Sequence, residues 1–480
     1  MPETNRSFAT KPCHNCRRRR LRCDKSHPFC HKCSLNGQEC LGYGQIIRWA
    51  NAPAIRGKLA PVKPFPQTAI QPCLIDPLLN RLDSKSRNYM HHFTTLVCRD
   101  LVSIDQKDRN PFRAMIPLCD RFDYLEAIVV ATGAMHLATL LTKNHDGTGG
   151  PELVDALVAK DRAIHLLKKA IETVTPSSQA MILAAVVFFV NLDLIDSGKG
   201  GWPAHIEAAT ALMSSLRKQQ QSVLKHDSTL MSLVDVIAAD CLTYRILGTT
   251  ISTVDITSWG EDQDTEDGLF DVLRRAEAHS YHCCPPVILQ VIMSTSRLST
   301  LDDEVERLNG ALELLERAMM FPVEEWVHSI RGLSLEEDDL SVRVSLASAH
   351  RAAACLYILL SAPEVEGVLE GRLTLDGLVQ EVKGFLSEVP TDHILLKGTV
   401  WPMFMAGAQT DDKEQREWYL ERLGTVWAKN PWICPWGYIR TAVEMLKELW
   451  AVRDKVGGER GKGWNWLHEM KARREKCLIV

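Results

Sequence analysis

Six cysteines, Cys13, Cys16, Cys23, Cys30, Cys33 and Cys40, follow a repeated spacing: C-x2-C-x6-C, six residues, then C-x2-C-x6-C again. A segment of about 30 residues cannot bury enough apolar surface to fold alone, so these thiols must carry its structure. The N-terminus, MPETNRSFATKPC, lacks the apolar stretch of a secretory signal. Clustered thiols in a reducing compartment read as metal ligands rather than as disulfides. Tetrahedral zinc takes four thiolates at about 2.3 Å. Six cysteines serve one zinc with two to spare, or two zincs if two thiolates bridge. The internal repeat requires equivalent bridges, and Cys13 and Cys30, the first cysteine of each half, are that pair. One zinc then takes Cys13, Cys16, Cys23 and Cys30, and the other Cys30, Cys33, Cys40 and Cys13. The nearby His14, His27 and His31 lack the spacing of a finger or RING. Metal binding is therefore expected to drive folding of this head.

The span after Cys16 reads RRRRLR, five arginines in six positions. Residues 11–40 hold eight cations against two acids, a surplus of six on a chain whose formal net charge is −4. The remainder thus carries ten net negative charges, and a basic head on an acidic body points to a polyanion as the head's partner. Each half is expected to be a metal-anchored helix followed by an extended strand, with Arg17, Arg18, Arg19, Arg20 and Arg22 on the first helix. The second half, CSLNGQEC, has the same frame and no cation. The planar fork of arginine suits the paired acceptors of guanine in the major groove. A nuclear localisation signal is the blander reading of RRRR, and the two roles are compatible.

The run C-x2-C-R-x-R-R-x-R-C, followed by D-K-x-x-P-x-C, resembles the fungal binuclear zinc cluster transcription factors. That resemblance implies two zinc ions per chain and binding to double-stranded DNA. It assigns the reading of a CGG triplet to Arg19 and Arg20, where the family commonly carries lysine. It makes Arg17, Arg22 and Lys25 phosphate contacts, which position a protein without specifying sequence. Pro28 matches the family's proline in the loop joining the halves. Beyond the head, YGQIIRW, NPFRAMIPL, the DSGKGGWPAHIEAATALM element with Trp202, His205, Ala209 and Leu212, and AVEMLKELW resemble one fungal subgroup with a helical regulatory domain.

The expected organisation is a tail over 1–10, a binuclear zinc cluster DNA-binding domain over 11–42, a linker over 43–78, and an all-α fungal regulatory domain over 79–480. The linker is rich in proline and small residues. After it, 3.6-residue periods dominate: Leu153, Ala156, Leu157, Ile164, Leu167 and Ile171 form one stripe. Ala180–Val190, eleven apolar residues, is too short to span a bilayer and suits a buried helix. Leu301, Val305, Leu308, Leu312, Leu315 and Met319 are spaced like a coiled-coil seam. Gly310 within that run favours a core helix over a dimer zipper. Thr300 with Asp303 reads as a capping box, which also accounts for the D-D-x-x-E pattern shared with terpene cyclases.

Other features have plain readings. The tryptophans between Trp418 and Trp466 suit a core, His205 a hydrogen-bonded structural role, and Cys283–Cys284 a buried thiol pair. The acidic SWGEDQDTEDG, with Trp259 and Phe270 nearby, is expected to be a solvated loop, with recruitment of transcriptional machinery as its sharper reading. The terminal CLIV matches a prenylation pattern at Cys477, but valine is unusual there and a lipid contradicts a nuclear role.

The expected function is a nuclear, sequence-specific regulator of RNA polymerase II type reading CGG-like triplets and controlling a metabolic or secondary-metabolite gene set. It is not expected to be an enzyme or to contact a membrane. A second copy of the chain is a candidate partner, although no coiled coil directly follows the linker. The rival reading is an effector-sensing or enzymatic helical domain for which the head is a DNA-targeting tag.

Overall fold

The computed structural model describes residues 9–27, 29–38, 40–43, 81–106, 109–142, 150–219, 228–253, 263–333, 337–428, 436–456 and 464–480. They belong to two units, Met1–Ile75 and Asp76–Val480. The N-terminal tail to residue 8, Pro28, the expected linker from residue 44 with most of YGQIIRW, and Trp259 lie outside the described residues. Helices make up both units, and the described residues contain no strand beyond isolated bridge positions, at Ser26 and between Lys199 and Cys477.

The larger unit is built around the helix Pro176–Asp196. Its start is over-determined. Thr175 accepts from the Ser178 amide, Ser178 Oγ accepts from the Thr175 amide, and Pro176 supplies a helical φ at the first position. From Ala180 to Ile195 it has no polar face, and nearly every residue is buried. The helices Asp123–Thr142, Trp202–Gln219, Ser228–Ile251 and Gly437–Val456 pack around it. Phe188 meets Phe93 at 5.5 Å and the edge of Phe112 at 6.0 Å. The eleven-residue run read from sequence is thus part of a longer helix. Ser178–Asp196 is long and apolar enough to cross a membrane, as are Asp123–Leu141 and Leu340–Ser361, yet 94% of its stretch is buried among the other helices.

Several expectations change on contact with packing. The helix Pro151–Glu172 buries only part of the predicted stripe. Ala156, Ala163 and Leu167 are buried, while Leu157, Ile164 and Ile171 are 52%, 45% and 51% exposed. Small residues let this helix approach Asp123–Thr142 closely, and that approach selects a face rotated away from the larger side chains. The seam over 301–319 is a core helix, Glu304–Met319, burying Ala311, Leu314, Leu315 and Ala318 while Val305 and Met319 stay exposed. Its cap is Asp303 alone, accepting from the amides of Val305 and Glu306. Thr300 instead donates to the Arg297 carbonyl. The acidic stretch is not all loop. A helix starts at Gln263, and Phe270 is buried in the core rather than offered to a partner.

His205 is held by stacking on Phe189 at 5.2 Å, without a hydrogen bond to its ring among the described residues, and burial lowers its pKa. Trp436, Trp450 and Trp466 are buried as expected of a core role, and so are Cys283 and Cys284.

The last four residues, Cys477 to Val480, are at most 1% exposed. Leu478 donates to the Gly198 carbonyl at 2.8 Å, Ser252 Oγ to Cys477 O at 2.8 Å, and Tyr438 Oη to Val480 O at 3.0 Å. The Cys477 thiol is pushed up to about 12 by burial. A prenyl transfer would need this thiol exposed and ionised, so the fold opposes the terminal motif.

Candidate metal centre and nucleic-acid interface

The smaller unit has two short helices, α1 (His14–Arg19) and α2 (His31–Leu35). Each is started by a cysteine in extended conformation. Cys13 Sγ accepts from the Cys16 amide at 3.4 Å, and Cys30 Sγ accepts from the Cys33 amide at 3.3 Å. A sulfur in place of the usual oxygen cap ties the helix start to the metal frame. The cysteine ending each half is held the same way. The Cys13 amide donates to Cys23 Sγ and the Cys30 amide to Cys40 Sγ, both at 3.4 Å.

These bonds gather all six sulfurs. Cys13 and Cys30 Sγ are 3.5 Å apart, Cys16 to Cys30 is 3.8 Å and Cys13 to Cys33 is 3.8 Å. The edge of a zinc–thiolate tetrahedron with bonds of 2.3 Å is about 3.8 Å. Two overlapping groups result, Cys13, Cys16, Cys23 and Cys30, and Cys13, Cys30, Cys33 and Cys40, the sulfurs of each within 4.8 Å of one another. Cys13 and Cys30 belong to both and are fully buried. Without a cation, burial pushes the Cys13 thiol up to about 12 and Cys30 higher still. Thiolates this crowded need metal charge between them, so the donor set fits two zinc ions with two bridging sulfurs.

Asp24 joins the halves. Its carboxylate accepts from Ser26 Oγ at 2.5 Å and from the amides of His31 and Lys32 at 3.0 and 3.2 Å, which hold it well below the usual carboxylate range. It therefore caps α2 from seven residues upstream. Tyr43 Oη donates to the Ser26 carbonyl at 2.7 Å and fixes the far end of the head.

The arginines are distributed differently from the sequence reading. Only Arg17, Arg18 and Arg19 are on α1. Arg20 is its C-cap in left-handed conformation (φ +55°), and Arg22 lies beyond the helix. The Leu21 amide bonds back to the Cys16 carbonyl at 2.9 Å, which stops the helix after little more than a turn. The expected strands do not form: among the described residues of the head only Ser26 takes part in an isolated bridge. All five guanidinium groups are exposed and make no ion pair or hydrogen bond among the described residues. Positive charge at the end of α1 also complements the helix dipole. Lys25 is half-buried with φ +62°, and its Nζ donates to the Thr10 carbonyl at 3.2 Å, leaving further donors for another acceptor. Sequence reasoning did not anticipate that anchoring bond or the capping role of Asp24. The D-K pair after Cys23 was its only trace.

Residues 11–50 match the family described as the fungal Zn(2)-Cys(6) binuclear cluster domain, and residues 88–479 the fungal specific transcription factor domain. The acriflavine sensitivity control protein acr-2 of Neurospora crassa is 44% identical over 594 aligned residues, covering 100% of this chain and 98% of that protein. No solved structure matches the chain.

Proposed function

This chain belongs to the fungal binuclear zinc cluster transcription factors, and on that premise we propose that its first half reads DNA while its second half completes the metal frame. The family's cluster domain binds two zinc ions, and the chain is a transcription factor. We assign one zinc to Cys13, Cys16, Cys23 and Cys30 and the other to Cys13, Cys30, Cys33 and Cys40. Arg19 and Arg20, at the end of α1, read the base edges of a CGG-like triplet in the major groove. Arg17, Arg22 and Lys25 hold phosphates on either side. The observation that carries this reading is the asymmetry of the frame: one half offers exposed, unpaired arginines at its helix end and the other offers none.

The domain limits follow as 11–42 for the cluster, 43–78 for the linker and 79–480 for the helical regulatory body, working in the nucleus on double-stranded DNA. The role is regulatory rather than catalytic. The relative's name ties that protein to acriflavine sensitivity, and the full-length similarity extends the same control to this chain. Deleting the gene should therefore shift the acriflavine concentration that stops growth.

The direct test is binding of the zinc-loaded chain to a duplex carrying CGG, measured by fluorescence anisotropy. Replacing Arg19 and Arg20 together with alanine should cost about 1–3 kcal/mol per residue and erase preference over a scrambled triplet. Preserved preference would move base reading elsewhere.

A further inference from the structure

The helix Gln263–Ala276 is anchored on one side and leaves a space beside it. It packs on Ser228–Ile251, with Phe270 and Leu273 buried. Arg275 holds Asp235 of that neighbour through Nε and Nη2, both at 2.8 Å. Between these two helices and the helices Pro176–Asp196 and Trp202–Gln219 is a cavity of about 220 Å³. Leu183, Met213, Leu216, Val234, Ala238 and Val272 make its apolar wall, with every one of the four helices contributing.

Close-packed interiors hold few voids larger than one water molecule, and an apolar cavity of about 150 Å³ is enough for benzene. This one is larger, and its apolar wall gives water few partners. The charged groups that line it are Asp235, Asp271 and Arg275. Asp235 and Arg275 satisfy each other as a bidentate pair, and Asp271 accepts from Arg274 Nη1 at 2.6 Å. The charges at this edge therefore cancel. An anionic guest would add negative charge beside two carboxylates, and a cationic one would compete with both arginines for them. Arg275 Nη1 makes no hydrogen bond among the described residues, so the balanced edge still has a donor to offer.

We propose that this cavity binds a neutral molecule of one or two fused rings, its rings against the apolar wall and one oxygen accepting from Arg275 Nη1. The volume sets the ring count, the cancelled charges set the neutrality, and the remaining donor sets the acceptor. A bound ring system would bridge Gln263–Ala276 to the central helix through Val272 and Leu183. The binding does not depend on how the head reads DNA.

The test is thermal unfolding of the zinc-loaded full chain with four probes on one ring frame: indanone, indane, aminoindane as the cation and indane carboxylate as the anion, all at equal ionic strength. Indanone should raise the Tm of the body by roughly 2 °C in a saturable way. Indane should bind about tenfold more weakly, and neither ionic probe should give a saturable shift. Ala238→Leu fills the cavity and should abolish the indanone response. Arg275→Met should keep the binding of indane and lose the preference for indanone, an outcome that a merely structural role of Arg275 does not produce. If Ala238→Leu fails to fold, the half-buried Val272→Trp serves as the filled variant, and the four probes on the parent chain decide in any case. No saturable shift with indanone, a shift retained in the filled variant, ionic probes that bind as tightly as indanone, or equal affinities for indanone and indane would overturn the site. Each of these results leaves CGG binding by the head intact and so is distinguishable from failure of the DNA-reading assignment.

Discussion

The two halves of the head superpose in logic, residue for residue, at an offset of seventeen. Cys13, Cys16 and Cys23 correspond to Cys30, Cys33 and Cys40, and the amide-to-sulfur bonds repeat in both. The backbone repeats as well. Arg20 at φ +55° corresponds to Gly37 at +63°, and Lys25 at +62° to Gly42 at +67°. At both left-handed positions the second half uses glycine, which occupies that region freely, and the first half uses a cation, which does not. The first half gives up roughly 1 kcal/mol or more at each position and gains a charge there. The second half shows what the frame prefers when it has only to fold.

The largest effect should come from the sulfurs common to both groups. Cys13→Ser and Cys30→Ser should each lose both zincs and unfold the head, since structural zinc supplies on the order of 10 kcal/mol in small metal-folded peptides. Cys40→Ser, outside the shared pair, should retain about one zinc. Metal analysis of the purified variants decides this, and unequal results for Cys13 and Cys30 would break the equivalence of the halves.

Next is Arg20→Gly, which converts the first half to the backbone solution of the second. DNA affinity should fall by about 1–3 kcal/mol while the head becomes roughly 1 kcal/mol more stable to urea. Opposite signs from one substitution sharpen the comparison; a loss in both measurements would mean that the Arg20 side chain also supports the fold. Gly37→Arg is the reciprocal change. It should destabilise the head by about 1–2 kcal/mol and leave triplet preference untouched. Lys25→Gly should have the smallest effect, lowering the salt dependence of DNA binding by about one counterion without altering which sequence is preferred.

The cysteine spacing made two halves and two overlapping groups of four sulfurs legible, because metal ligation leaves so few geometries open. The left-handed arginine and lysine were not visible, since nothing in R-R-L-R-C or C-D-K marks a turn that a glycine would normally make. In the body, helical periods revealed helices but not their buried faces. Along Pro151–Glu172 the large side chains Leu157, Ile164 and Ile171 were the natural choice for a core. Ala156 and Ala163 won because close approach to the neighbouring helix favours small residues, which depends on a partner that a single segment does not disclose.

The buried ending of the chain has a consequence for its synthesis. Gly198, Ser252 and Tyr438 each make a hydrogen bond to residues 477–480. A ribosome adds about 5–20 residues per second, so residues 477–480 emerge long after Gly198 and Ser252, and these contacts form only once that segment has been made. The head, complete by residue 43, is free to take up zinc many seconds earlier, and a cell that starves the second step would hold a metal-loaded head beside an unfinished body.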